Sequence, residues 1–281
     1  MTQLKISVIT WDASFRESFH TVDFFRDQSF PQLEYEFIWV EYYSDVNPRL
    51  RQQMSLLENA RIICLGGEGE WHAGICLNEG IKQSRGKVIV TCDGDIAVEP
   101  DFLYTVWGSH NTIDNLVLYF RRLDEPENAH ELPIRLNHLE QVCQLRNPTN
   151  YGGCLTTRRK CIDYVHGYEE HLFFAGAGAI SKELYTRLKN AGFPIMWHPI
   201  KKVYHPWHAN TLRGTYKLKR DQQLWVIRCR DLSVDYLASI EQAGLYSDSF
   251  TPQTKDLKSP IWSMWQKIRN LFRKTQQIIK K

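Results

Sequence analysis

The sequence predicts an α/β domain with a mainly parallel sheet flanked by helices. Short apolar runs rich in β-branched residues alternate with longer amphipathic stretches through the first ninety residues or so. That is the pattern of successive βα units. One of these runs ends in two carboxylates one residue apart, at the carboxyl end of a strand, where such sheets bind their ligands.

Leu4 to Thr10 (LKISVIT) reads as a buried strand, and the polar stretch Ser14 to Gln28 as the helix after it. Tyr35 to Val40 is a second strand and Pro48 to Asn59 a second helix. Arg61 to Leu65 follows as a short strand, then Ala73 to Ser84 as a helix with apolar Ile75, Cys76, Leu77 and Ile81. Lys87 to Cys92 is a fully apolar strand. Beyond Asp101 the pattern loosens. Leu116 to Phe120 suits a strand, whereas Arg121 to Asn150 is charged, holds three prolines and reads as excursions around a site. Ser181 to Asn190 is a helix with Ser181 as N-cap and Gly192 at its close, and Thr215 to Cys229 is a further helical stretch.

Composition narrows the class. With 43% apolar and 24% charged residues over 281 positions, the chain can bury a large core. The amino terminus has no signal-peptide pattern, and no window approaches the ~18 apolar residues of a membrane span. Seven scattered cysteines, never spaced as CxxC, indicate neither a disulfide framework nor a zinc ribbon, and are read as reduced thiols in a cytoplasm. The net charge of +3 hides an asymmetry: Leu257 to Lys281 carries seven basic residues and no acidic one, so the remainder is net negative. No nucleic-acid groove is expected across the main body. Residues 1–240 read as the folded domain, 241–258 as a linker and 259–281 as an amphipathic helix. In that helix Ile261, Trp265, Ile268 and Phe272 share a face, and Lys267, Arg269, Arg273 and Lys274 line much of the rest. Its two tryptophans and basic face suit a peripheral position on an anionic membrane surface; docking on the domain or on a partner is the alternative.

The chemistry centres on Asp93-Gly94-Asp95. At a strand end, with a flexible glycine between them, both carboxylates can turn toward one divalent cation. Oxygen ligands suit Mg2+ or Mn2+ bridging a diphosphate. A calcium-binding EF-hand loop is excluded, because its twelfth position would be Tyr104 rather than glutamate. A haloacid-dehalogenase-like phosphatase also places DxD after an apolar strand, although the motif here lies far into the chain and Ala97 stands where threonine or valine is usual. A solvated turn after a buried strand is the ordinary reading of such a motif.

Ile6-Ser7-Val8-Ile9-Thr10, Trp39 to Asp45, Leu77-Asn78-Glu79-Gly80-Ile81, Asp93-Gly94-Asp95 and Tyr151-Gly152-Gly153 occur in an order that resembles GT-A glycosyltransferases. The likeness is to family-2-like enzymes and to the galactosyltransferase branch, and it covers roughly residues 4 to 210. It implies a GT-A fold and transfer of a sugar from a nucleoside diphosphate sugar, with UDP favoured, to a hydroxyl of a glycan or lipid-linked glycan. By position, the resemblance assigns Thr10, Glu41, Asn78 and Asp93 to the nucleotide. It assigns Asp93, Asp95 and one of His205 or His208 to Mn2+ or Mg2+.

Three departures accompany the resemblance. Glu41 stands where the family more often has aspartate, and Leu77 where many members have arginine. The paired carboxylates that open the catalytic helix of inverting members are replaced by Ile180-Ser181, neither of which can act as base. Gly167-Tyr168-Glu169-Glu170 resembles the family's Gly-Phe-Asp-Glu turn. Glu169, Glu170 or Glu183 could therefore supply the base from a shifted position; a different mechanism, or a catalytically silent scaffold binding a nucleotide sugar or partner enzyme, are the alternatives.

Overall fold

A computed structural model describes residues 4–176, 179–209 and 216–232, within a compact unit spanning Met1–Ala243. The linker 241–258 and the amphipathic stretch 259–281 lie outside the described residues. Among the described residues, no helix is long and apolar enough to cross a membrane.

Among the described residues, seven strands form one sheet: β1 (Ile6–Asp12), β2 (Tyr35–Glu41), β3 (Ala60–Cys64), β4 (Val88–Asp93), β5 (Val117–Asp124), β6 (Cys154–Arg158) and β7 (Ile195–His205). Their order is β3-β2-β1-β4-β6-β5-β7. The first four strands in sequence pair in parallel, β6 runs antiparallel to both β4 and β5, and β7 is parallel to β5. The helices are α1 (His20–Arg26), α2 (Pro48–Met54), α3 (Ala73–Gln83), α4 (Phe102–Thr112), α5 (Leu136–Val142), α6 (Arg159–Tyr164), α7 (Ile180–Asn190) and α8 (Tyr216–Leu232).

Side chains alternate across the sheet, so each strand feeds two cores. Ile6, Val8, Phe37, Trp39, Val88 and Val90 join Phe25 of α1 and Phe102 of α4 on one face. Ile9, Ile38, Val40, Ile89 and Leu155 join Leu77 and Ile81 of α3 and Leu184 and Leu188 of α7 on the other. The near-continuous apolar runs follow from this burial on both faces. Helix α3 lies close on β1 through Gly80, where a Cβ would stand 2.5 Å from Ile9 Cγ2.

Several expectations are corrected. α1 begins at His20 rather than near Ser14, because the Asp12 carboxylate accepts from the Phe15 and Arg16 N–H groups and Glu41 accepts from the Ser14 N–H. These side chains give residues 12–16 an alternative to helical bonding, and Ser14 adopts φ +56°. α7 begins at Ile180, with Ala179 rather than Ser181 as the cap residue. The stretch after Asp101 contains α4, and β5 runs on to Asp124.

A buried ionic network ties α7 and α8 to the loop before α7. Glu183 pairs with Arg187 through two bonds of 2.6 and 2.8 Å, and Arg187 also donates to the Val165 carbonyl. Arg230 of α8 pairs with Glu169 at 2.6 Å and with Glu183. All four residues are at most 2% exposed. Breaking such a network leaves buried charge undercompensated. R230M is therefore expected to lower unfolding free energy by about 3–5 kcal/mol in urea denaturation, and a loss below about 1 kcal/mol would show that the network is not what holds α8.

Candidate active site

The DxD turn leaves the carboxyl end of β4, beside the ends of β1 and β2. Its approach to the end of β7 is set by backbone pairing. Ala97 and Tyr204 exchange N–H···O bonds of 2.8 and 2.9 Å, which sets His205 beside Asp95. The Thr21 hydroxyl donates to the Ile96 carbonyl at 2.7 Å and fixes the same segment to α1.

The two carboxylates of the motif have different partners. Asp93 is paired with Arg122 at 3.1 Å, and Asp95 with Arg16 at 3.2 Å. Burial and the neighbouring Asp95 charge raise the Asp93 pKa, with Arg122 opposing. Asp95 is held well below the usual carboxylate range: burial opposes its charge, but Arg16 and the two histidines outweigh that. The sequence expectation set both carboxylates on one cation. Among the described residues, Asp95, His205 and His208 converge, one ligand atom from each lying within 4.8 Å of the others.

Both histidines face Asp95, where the resemblance assigned only one of the two. His205 Nε2 is 3.6 Å from Asp95 Oδ1, His208 Nε2 is 3.5 Å from Asp95 Oδ2, and the two Nε2 atoms are 3.2 Å apart. Asp124, at the end of β5, bonds His205 Nδ1 at 3.1 Å and so turns Nε2 toward Asp95. Burial disfavours a proton on His205, but the bond to Asp124 and the nearby Asp95 carboxylate raise its pKa to about 9. Asp95 Oδ1 is buried and accepts no hydrogen bond. A buried carboxylate oxygen without a donor, flanked by two convergent imidazole nitrogens, fits a divalent cation.

The residues assigned to the nucleotide are distributed differently from expectation. Thr10 is enclosed beneath Gly94, and its hydroxyl is buried without a hydrogen-bond partner. Glu41 is 2% exposed and accepts from the Ser14 N–H at 2.8 Å and its hydroxyl at 3.3 Å, so it shapes the loop after β1. Asn78 braces the loop before α7: it donates to the Tyr168 carbonyl and to Glu170 and accepts from the Tyr168 N–H. Gly167, at φ +74°, lies against that amide and leaves no room for a Cβ. Leu77 is buried in the core, and the guanidinium on this side of the site is Arg16, bound also to Asp12 at 2.7 Å. Trp11 stacks on Trp71 at 5.2 Å, with Phe15 edge-on to both.

Of the three base candidates, Glu169 and Glu183 are enclosed in the arginine network and have no exposed surface. Glu170 is half-buried and is held at 2.7 Å by Asn78. Arg16, Arg122, Asp12 and Asp124 were not marked in the sequence. Asp12 and Arg16, close behind the first apolar run, had a local signal.

Glu41 generates a pH prediction. Burial and the Asp12 charge push its pKa from 4.5 to about 7. The folded protein thus holds this proton more tightly than the unfolded chain does, so ionising Glu41 costs stability progressively from pH 4.5 to about 7, with the full cost above that. E41Q cannot ionise. Its stability relative to the native chain is expected to rise across that interval in urea titrations, and a difference independent of pH would refute the assignment.

The pattern of glycosyl transferase family 2 matches residues 20–168. Similar solved structures include S. aureus TarS (residues 1–349) with UDP-GlcNAc, at 16% identity and TM-score 0.62, covering 83% of this chain and 68% of that one. The mannosyltransferase PcManGT from Pyrobaculum calidifontis, in complex with GDP-Man and Mn2+, matches at 12% identity and TM-score 0.59, covering 82% and 65% respectively. This chain thus spans about two thirds of their length, and at such identities the likeness establishes the GT-A fold alone. No curated protein matches. On the family match, with the mixed seven-stranded sheet and the DxD turn at its carboxyl edge, the chain belongs to glycosyl transferase family 2 and is a glycosyltransferase.

Proposed function

We propose that the chain transfers a sugar from a nucleoside diphosphate sugar to a hydroxyl of a glycan or lipid-linked glycan, with a divalent cation, Mn2+ or Mg2+, at Asp95, His205 and His208. The convergence of those three side chains beyond the sheet carries this reading. When bound, the cation neutralises charge developing on the departing diphosphate. The chain's own residues set the rest. Asp95 and the two imidazoles hold the cation, and Asp124 fixes the His205 ring. Arg16 and Arg122 lie on either side of the turn as fixed positive charges for an anionic donor. The aromatic group Trp11, Phe15 and Trp71 offers a flat apolar surface at the end of β1. A UDP donor is favoured by the TarS complex with UDP-GlcNAc, and a GDP donor is the competitor named by the mannosyltransferase.

For the acceptor proton, Glu170 is the candidate left accessible by the fold. Asn78, donating to both Glu170 and the Tyr168 carbonyl, orients it. The buried pairings of Glu169 and Glu183 give those two carboxylates a structural role.

Isothermal titration of UDP and GDP, with Mn2+ or with chelator, tests the donor reading. The native chain is expected to bind one nucleotide only with metal, and D95A and H205A/H208A to lose that metal-dependent binding; metal-independent binding of equal strength in all three would refute the cation site. Once a donor is known, E170Q is expected to lower kcat by about a hundredfold with donor affinity unchanged. Native kcat in E170Q would dismiss it as base.

A further inference from the structure

The ligand-bearing segment His205-Pro206-Trp207-His208 leaves the end of β7 as a loop, and His208 is largely exposed. A loop of this kind does not by itself hold two imidazoles on one carboxylate. Its restraint comes from Glu125, directly after β5. The Glu125 N–H donates to the His205 carbonyl at 2.9 Å, and its carboxylate Oε2 accepts from the Trp207 N–H at 2.8 Å. One residue thus grips the loop on both sides of Pro206.

Glu125 is itself held. Its side chain is 1% exposed. His130 Nδ1 bonds Oε2 at 2.7 Å, and His138 Nε2 bonds Oε1 at 3.0 Å while also donating to the Ala129 carbonyl at 2.8 Å. The His130 ring also packs on Trp207, with centroids 5.5 Å apart. The excursion between β5 and β6, which includes α5, thereby supplies two histidines whose shared contact is the carboxylate behind the ligand loop. Neither touches Asp95 within the hydrogen-bond and ion-pair contacts of the described residues.

We infer that Glu125, clamped by His130 and His138, is a positioning residue for the cation site: it sets where His205 and His208 stand relative to Asp95. This rests on the cation reading above. Asp124 and Glu125 then divide the work, the first orienting the His205 ring and the second fixing the backbone that carries both rings. Partners behind metal ligands typically alter metal affinity by about 10–100-fold when removed.

The test titrates Mn2+ into the full chain, with and without UDP, and follows the free Mn2+ signal by electron paramagnetic resonance. E125A is expected to weaken Mn2+ binding by about tenfold or more, whereas E125Q, whose amide oxygen can still accept from Trp207, stays within about threefold of native. Far- and near-ultraviolet circular dichroism should be unchanged in both, which a general loosening of the fold would not allow. E125A that binds Mn2+ as the native chain does overturns the proposal while leaving the cation site intact. A native chain that binds no Mn2+ under either condition overturns the cation reading and the proposal together. If E125A does not fold, H130F carries the test: it keeps a ring against Trp207 but loses the bond to Glu125. Weakened Mn2+ binding in H130F supports the clamp, and native affinity overturns it.

Discussion

Two backbone hydrogen bonds between Ala97 and Tyr204 decide whether this protein has a site at all. Asp95 leaves the fourth strand and His205 ends the seventh, which lies at the far edge of the sheet, three strands away. Without the bridge, the turn after β4 and the end of β7 would be separate surface features. The bridge depends in turn on the mixed topology. Because β6 enters antiparallel between β4 and β5, β5 and β7 run in the direction of β4, and their carboxyl ends meet the DxD turn at the same edge.

Bringing these ends together concentrates acid. Asp12, Asp93, Asp95 and Asp124 gather around one turn, and none can be left ionised in a half-closed site without compensation. The chain answers with Arg16 between Asp12 and Asp95, and with Arg122 between Asp93 and Asp124. Each guanidinium bridges a motif carboxylate to a carboxylate from another strand end. The two motif residues therefore shift in opposite directions: burial and Asp95 push Asp93 up, and Arg16 with the histidines holds Asp95 down against burial. The ligand cluster gathers on Asp95, the carboxylate left with an undonated buried oxygen.

Much of this was legible in the sequence, and the parts that were not share a cause. The strands β1, β2 and β4 announce themselves because burial on both faces makes them near-continuous apolar runs. β7 (IMWHPIKKVYH) is only partly buried and carries a proline, so its pattern breaks, and β6 (CLTTR) is short and polar. α1 started late because two carboxylates from strand ends captured the backbone ahead of it, an interaction that no helical periodicity reports. Asp93-Gly94-Asp95 and His205-x-x-His208 were visible as residue types at suggestive spacing. Their partners were not, since Arg122, Asp124 and Glu125 acquire meaning only through sheet order. Glu169 and Glu183 resembled catalytic acids for the same reason: Arg230, which neutralises both, lies in a helix with no sequence link to either.

The absent carboxylate pair is the sharpest departure, and the fold shows that it is a change of chemistry at an occupied position. Ser181 stands in the first turn of α7, its hydroxyl 3.3 Å from where a Cβ at Gly152 would lie. Gly153, the next residue, accepts from the Asp93 N–H at 3.2 Å. The opening of α7 is therefore two short contacts from the DxD strand, the place the resemblance gives to the catalytic pair, yet it presents a hydroxyl and an aliphatic side chain that is 3% exposed. Retained acidity in this helix has been turned inward, with Glu183 bound by Arg187 and Arg230. On the proposed reading, a base for the acceptor comes from outside α7. The loop before α7, where Asn78 and the left-handed Gly167 fix Tyr168 and hold Glu170 at 2.7 Å, is the neighbouring element with a carboxylate that is neither enclosed nor ion-paired to arginine among the described residues.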